Sequence, residues 1–254
     1  MNLLVISDLH IDNGDKFGAF GWKPKRFIKA LDTVIEQNEI DKVVLNGDIF
    51  ELYKYNFNDV YRWNRELIGY FNKREFVYIR GNHDIFNPLA KESLTISNGK
   101  GQTIYIEHGH NADFLNGTKL GRFISIAAFN ALKKLIKLQW IEKLYFRVIE
   151  WDDQINRIPK KYNTFRYLNY ALKLLRNYDV VILGHTHKLE AHKTYYLNTK
   201  KIYLNTGSCS LGRFQAVILD TETLKYDTIK ISRSDMSKKL IKKTPKRSRL
   251  SIPA

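Results

Sequence analysis

The chain has 254 residues, 44% of them hydrophobic and 27% charged, so it can bury a substantial core, and its single cysteine, Cys209, excludes an intramolecular disulfide framework. Its 42 basic and 26 acidic residues give a net charge of +16, concentrated in residues 115–178 (+9) and 233–254 (+7), with the remainder neutral. That confinement favours an anionic partner, and the longest apolar stretch, around Phe123 to Leu132, is interrupted by Ser125 and Asn130 and is too short to span a bilayer.

In chain order, Asn2–Ile6 reads as a first strand; the run ends at Asp8, too early for a signal peptide, and with the lone cysteine it points to a reducing, cytoplasmic compartment. Phe27, Ile28, Leu31, Val34 and Ile35 recur with helical spacing, and Pro24 suits a first turn. Lys42–Asn46 is a second strand, a helix runs from about Tyr61 to Phe71, and Glu75–Ile79 and Gln102–Glu107 are further strands. Alternating strands and helices in this half imply a parallel sheet.

Residues 115–178 break the rhythm and read as a helical insertion. Leu120, Phe123, Ile124, Ala127, Ala131 and Leu135 form an apolar stripe, with further helices at about Leu138 to Trp151 and Phe165 to Arg176. Strands resume at Asp179–Leu183, Ile202–Asn205, Phe214–Leu219 and Tyr226–Ile231, closely spaced and so antiparallel in part. The whole reads as a sheet-rich α/β core, 1–231, followed by a basic tail, 232–254, expected to be disordered.

Five strand ends carry polar clusters: Asp8-Leu9-His10, Gly47-Asp48, Gly81-Asn82-His83-Asp84, His108-Gly109-His110 and Gly184-His185-Thr186-His187. Each alone is weak, since a strand-end Asp is usually a cap or turn former. Together they place oxygen and nitrogen donors where sites form in α/β sheets, beside glycines that permit tight turns. Imidazole with carboxylate and no thiolate suits Mn, Fe, Zn, Ni or Mg, and two such divalent ions can clamp the entering and leaving oxygens at phosphorus. Cys209 reads as a small core residue and His192 as structural; Arg80 reads as a strand-end surface residue more readily than a phosphate ligand.

The ordered set DLH, GD, GNHD, HGH and GHTH resembles the calcineurin-like metallophosphoesterase superfamily over residues 1 to about 231. The resemblance implies an α/β four-layer αββα sandwich with a helical insertion. It also implies that Asp8, His10 and His187 hold one metal, that Asn82, His108 and His185 hold the second, and that Asp48 bridges them. His83 would be the general acid, oriented by Asp84, protonating the leaving oxygen as a metal-bridging hydroxide attacks. His110 would line the substrate side or brace its turn.

Within that superfamily, GDIFE (Gly47–Glu51), the insertion, and GHTH followed by Asn205-Thr206-Gly207-Ser208 are similar to the bacterial UDP-2,3-diacylglucosamine diphosphatase group. There the insertion is a lid over acyl chains at a membrane surface, and Phe123, Phe129, Trp140, Tyr145 and Phe146 among basic residues would suit one. The chain departs from that group at His83, where the group carries Arg. The expected activity is phosphoester or pyrophosphate hydrolysis on a phosphorylated, lipid-like substrate with Mn²⁺, at the inner membrane face. The alternative is a nuclease or nucleic-acid-bound phosphoesterase, motivated by the charge.

Overall fold

The computed structural model describes residues 1–15, 18–84, 87–112 and 161–231. Among them are strands β1 (Asn2–Ile6), β2 (Lys42–Asn46), β3 (Val77–Ile79), β4 (Leu94–Ser97), β5 (Thr103–Ile106), β6 (Val180–Leu183), β7 (Leu189–Tyr196), β8 (Thr199–Thr206), β9 (Phe214–Asp220) and β10 (Tyr226–Ile231). The helices are α1 (Pro24–Gln37), α2 (Phe57–Trp63), α3 (Arg65–Lys73) and α4 (Lys161–Leu174).

The strands form two five-stranded sheets, ordered β10-β9-β1-β2-β3 and β4-β5-β6-β8-β7. In the first, β1, β2 and β3 are parallel and β9 and β10 antiparallel; in the second, β5, β6 and β8 are parallel and the edges β4 and β7 antiparallel.

Side-chain alternation along the strands stacks these sheets between helices. Leu3 and Val5 of β1, Val44 of β2 and Val217 and Leu219 of β9 face Ile104, Ile106, Val180, Ile182, Ile202 and Leu204 of the second sheet in one buried layer. The alternate residues Leu4, Ile6, Val43, Leu45 and Ala216 turn outward onto Phe27, Leu31, Leu67 and Phe71 of α1 and α3. On the far side Val181, Leu183 and Tyr203 meet Ala171 of α4 and Leu175. The result is the four-layer αββα order. Strands buried on both faces need apolar residues at every position, which is why β1, β2 and β6 are continuous runs of Leu, Val and Ile.

Three differences from the sequence reading have local causes. The single helix expected near Tyr61 to Phe71 is two, because buried Asn64 turns its amide onto the carbonyls of Asp12 (2.6 Å) and Val60 (3.0 Å) and diverts the backbone. β4 and β7 were not anticipated. Both are edge strands with largely solvent-facing residues, and β7 is set by pairing with β8 across a two-residue turn in which Leu197 and Asn198 both take positive φ. Of the three helices expected in 115–178, the last is α4, packed on the second sheet; the first two, and the tail, lie outside the described residues. No helix among the described residues is long and apolar enough to cross a membrane.

The layer between the sheets fixes their spacing, and Ile182 sits in it fully buried. Ile182→Ala is expected to destabilise the fold by about 2–5 kcal/mol, read as a lowered urea midpoint with unchanged slope.

Candidate metal centre

The parallel strands β1, β2 and β3 of one sheet and β5 and β6 of the other each run directly into one of the five polar clusters. Backbone bonds continue the pairing past the strand ends: Asp8 donates to Gly47 O (3.1 Å), His10 to Asp48 O (3.0 Å), and Gly184 to His108 O (2.9 Å). The chain then bends sharply. Asp8, His10, Asp48, His185 and His187 all hold positive φ, between 51° and 67°, a conformation uncommon for side chains other than glycine. Five left-handed residues in one place are the kind of local strain that gathers at functional sites. Two glycines make the approach possible: a Cβ on Gly47 would lie 2.4 Å from the His108 ring, and one on Gly81 would lie 2.1 Å from the Asp48 nitrogen.

These bends bring the side chains of both sheets together. Asp8 Oδ1 lies 3.1 Å from His187 Nε2, 3.9 Å from His108 Nε2 and 4.0 Å from His10 Nε2. Asp48 Oδ2 lies 3.2 Å from His108 Nε2 and 4.0 Å from both His10 Nε2 and His83 Nε2. His10 and His187 face each other Nε2 to Nε2 at 3.4 Å. Three sets have donor atoms within 4.8 Å of one another: Asp8, His10 and His187; Asp48, His108 and His185; and His10, Asp48 and His83.

The rest of each carboxylate is already committed. Asp8 Oδ2 accepts from Ser7 Oγ and from the His185 N–H (3.0 Å), and Asp48 Oδ1 accepts from the His83 N–H (2.8 Å). Asp8 Oδ1, Asn82 Oδ1 and His108 Nε2 are buried and make no hydrogen bond. His108 Nδ1 donates to Asn46 O at 2.8 Å, leaving Nε2, which faces a carboxylate oxygen, to carry a second proton or to meet a cation. Donor atoms and anionic oxygens buried and held this closely call for positive charge between them, so the donor set fits divalent ions.

The titration behaviour without metal agrees. Burial alone would lower the His108 pKa, but Asp48 and Asp8 overcome it and raise it to about 10. Burial opposes ionisation of Asp8, yet His187 and His108 hold it at about 2, and Asp48 is held well below the carboxylate range by His108 and His83 against the same opposition. Burial, with the His108 charge, lowers His185 to about 3, and burial lowers His10 as well, so both rings keep a lone pair.

His83 stands apart. Its Nδ1 is 2.8 Å from Glu51 Oε1, while Glu51 Oε2 lies 3.2 Å from His10 Nδ1. Burial would lower the His83 pKa, but Glu51 and Asp48 raise it to about 9. Asp84, expected to orient His83, does not bond its ring. Its carboxylate accepts the backbone N–H groups of Gly81 (2.8 Å), Ile49 (2.8 Å) and Phe50 (3.4 Å), tying the Asp48 and Asn82 turns together. Glu51 takes the expected role instead. Its signal was a carboxylate set between Phe50 and Leu52, which is hard to bury without a partner.

Elsewhere, Arg80 pairs with Glu92 and the Ala90 carbonyl, His192 of β7 stacks on Tyr203 of β8, and buried Cys209 bonds the Gln215 carbonyl. His110 is buried beside the rings of His108 and His185. Side-chain exposure is 0% at His108 and 7% at His10 but 24% at His83 and 34% at His187, so the centre opens on the side of the last two.

A family model described as calcineurin-like phosphoesterase matches residues 1–189. A comparison with curated protein sequences finds no match. Similar solved structures include a dimetal phosphatase from Danio rerio (9% identity, 91% of this chain and 99% of that one, TM-score 0.47). Others are an uncharacterised predicted phosphoesterase from Streptococcus pneumoniae (16%, 92% and 90%, 0.41) and a calcineurin-like phosphoesterase from Bacillus subtilis (12%, 92% and 91%, 0.40).

Protons and metal should compete for this centre. In metal-free protein, His108 (about 10) and His83 (about 9) titrate above the ordinary 6.5. The stability they contribute is complete below pH 6.5 and is lost as pH rises through those values. The melting temperature of chelator-treated protein should therefore fall from neutral pH to about 10, and Mn²⁺ should reduce the fall because it takes the place of the His108 proton. Calorimetry in buffers of different ionisation enthalpy should detect proton release on binding; a metal-free melting temperature that climbs through this window would contradict the assignment.

Proposed function

The chain belongs to the calcineurin-like phosphoesterase family, which makes it a metal-dependent hydrolase of phosphoesters with a dimetal centre, and from that premise we propose residue roles and a substrate class. Asp8, His10 and His187 would hold one ion, Asn82, His108 and His185 the other, and Asp48 would be shared by both. The observation that carries this reading is the convergence of buried, hydrogen-bond-free donor atoms on one point from both sheets. Mn²⁺ is our assignment for both ions, and Fe, Zn, Ni or Mg would suit the same donors.

When bound, two divalent cations supply Lewis-acid polarisation of the phosphoryl group and lower the pKa of a water. The protein's own groups do the rest. Asp8 and Asp48 supply the negative charge that holds dications, and the neutral imidazoles leave those cations acidic. Glu51 faces Nδ1 of both His10 and His83; burial keeps the His10 ring neutral, with a lone pair at Nε2, while Glu51 and Asp48 keep a proton on Nε2 of His83. That proton lies on the open side of the centre, where a leaving oxygen would depart, which suits His83 to the part of general acid.

For substrate we propose an amphiphilic phosphoester or pyrophosphate, of the UDP-2,3-diacylglucosamine kind, met at the inner face of the cytoplasmic membrane. Support comes from the aromatic and basic run at 120–147, which lies after the His108–His110 turn in the sequence, and from the opening at His83 and His187. A nuclease activity is the competing outcome.

His83→Ala is expected to lower kcat on an aryl phosphate by about 10²–10⁴ while two ions per chain remain. Asp48→Asn should instead lose both metal and activity, since a neutral amide bridges two dications poorly. Loss of metal from His83→Ala would make His83 a ligand, an arrangement its set with His10 and Asp48 allows.

The substrate class is tested on 120–147. Replacing Phe123, Ile124 and Leu135 by Ser should raise KM for an acylated nucleotide-sugar pyrophosphate and leave a small aryl phosphate unaffected, in protein shown to be folded by circular dichroism. For a nucleic-acid enzyme, charge reversal at Lys133, Lys134 and Lys137, or removal of the tail from Lys238, would weaken DNA or RNA binding and flatten its salt dependence. That pattern, with unaltered KM for amphiphiles, would overturn the assignment.

A further inference from the structure

Among the described residues, Glu51, His10 and Tyr53 lie against the His83 ring, besides Asp48 Oδ2 at 4.0 Å from Nε2. Glu51 Oε1 meets Nδ1 at 2.8 Å, and the His10 ring stands edge-on with centroids 4.6 Å apart and planes at 86°. The Tyr53 ring lies over His83 at 4.3 Å between centroids and 34° between planes, closer to stacked than crossed. Backbone bonds tie the same two segments together: the His83 N–H reaches Asp48 Oδ1 at 2.8 Å, and the Leu52 N–H reaches His83 O at 3.3 Å. Tyr53 therefore rides on the segment that carries Asp48 and Glu51 and is carried with them over the ring.

The geometry leaves Tyr53 a definite task. One hydrogen bond at Nδ1 fixes one atom of an imidazole but not the plane, since the ring can swing about the bond. His83 is also among the more exposed histidines of the centre, with 24% of its side chain open. A flat aromatic face at van der Waals contact removes that swing on one side. We propose that Tyr53 is a positioning residue that fixes the plane of His83, and thereby the direction in which Nε2 presents its proton. The ring performs this task, not the hydroxyl, and the inference rests on the reading of His83 as general acid.

The test uses full-length, Mn²⁺-loaded protein and a pair of aryl phosphates with good (4-nitrophenyl) and poor (phenyl) leaving groups. Tyr53→Leu is expected to lower kcat on the phenyl ester by about ten- to a hundredfold, the scale of a small misplacement of a catalytic group, with little change on the nitrophenyl ester. Metal content should remain at two ions, and Tyr53→Phe should behave as the native enzyme. Combined with His83→Asn, Tyr53→Leu should add no further loss, because both act through one group. Should Tyr53→Leu fold poorly, Tyr53→Met carries the same expectation. Equal losses on both esters, failure of Tyr53→Phe to preserve activity, or additive losses in the double variant would overturn the positioning role. If His83→Asn itself lowers both esters equally, the acid reading fails and the inference falls with it. If His83→Asn discriminates between the esters but Tyr53→Leu does not, only the inference fails.

Discussion

Two carboxylate oxygens and several imidazole nitrogens, gathered where the two sheets meet and largely closed to water, cannot be stable without positive charge among them. Asp8 Oδ1 and Asp48 Oδ2 each face three of these rings at 3.1–4.0 Å. A proton is one remedy, which is why the metal-free His108 ring clings to its second proton against the cost of burial. A pair of dications would be the more complete one, since it would also satisfy Asn82 Oδ1, which carries no charge for a proton to neutralise. Much of the architecture around the centre can be understood as keeping this arrangement from relaxing.

The backbone is the first part of that restraint. Positive φ at Asp8, His10, Asp48, His185 and His187 turns each side chain back over its own strand end, and such residues would leave that conformation if their surroundings allowed. Asp84 prevents it on one side by collecting N–H groups from the Asp48 and Asn82 turns, although burial and the nearby Asp48 charge push its own pKa up to about 6. Ser7, Thr206 and Ser208 prevent it on the other: Ser7 Oγ lies against both Asp8 Oδ2 and Thr206 Oγ1, and Ser208 Oγ donates to Asp8 O. The buried layer between the sheets supplies the rigidity these polar contacts lean on.

How much of this could be read from residues alone varied with the physics involved. β1 and β2 were legible to the residue, and β6 and β9 nearly so, since a run of Val, Ile and Leu buried on two faces leaves a strong local signal. β4 and β7 were not, because edge strands take their structure from a neighbour and not from their own composition. The donors of the centre were legible because His, Asp and Asn after a strand and beside glycine are unusual in combination. The carboxylate that serves His83 was misread. Asp84 is adjacent in sequence, but the bend of the Asn82–Asp84 turn sends its side chain to backbone amides, and Glu51 arrives from another strand's loop. Adjacency along the chain says little about which group a turn will present.

The same loop explains why chemistry and binding are separable in this centre. Asp48, Glu51 and Tyr53 lie within six residues, yet they address the metals, the His10 and His83 rings, and the face of His83 respectively. Because Glu51 sets one oxygen against Nδ1 of each ring, at 2.8 Å from His83 and 3.2 Å from His10, the proposed metal ligand and the proposed acid share one anchor. Movement of that carboxylate would misalign both together, whereas a change at Tyr53 touches only the ring that carries the proton. On the opposite side His108 is fully enclosed and bound to the Asn46 carbonyl, so nothing there can adjust to a substrate. Among the described residues the exposed side of the centre is that of His83 and His187, with His185 half-buried, and it is from this side that the proposed substrate would approach.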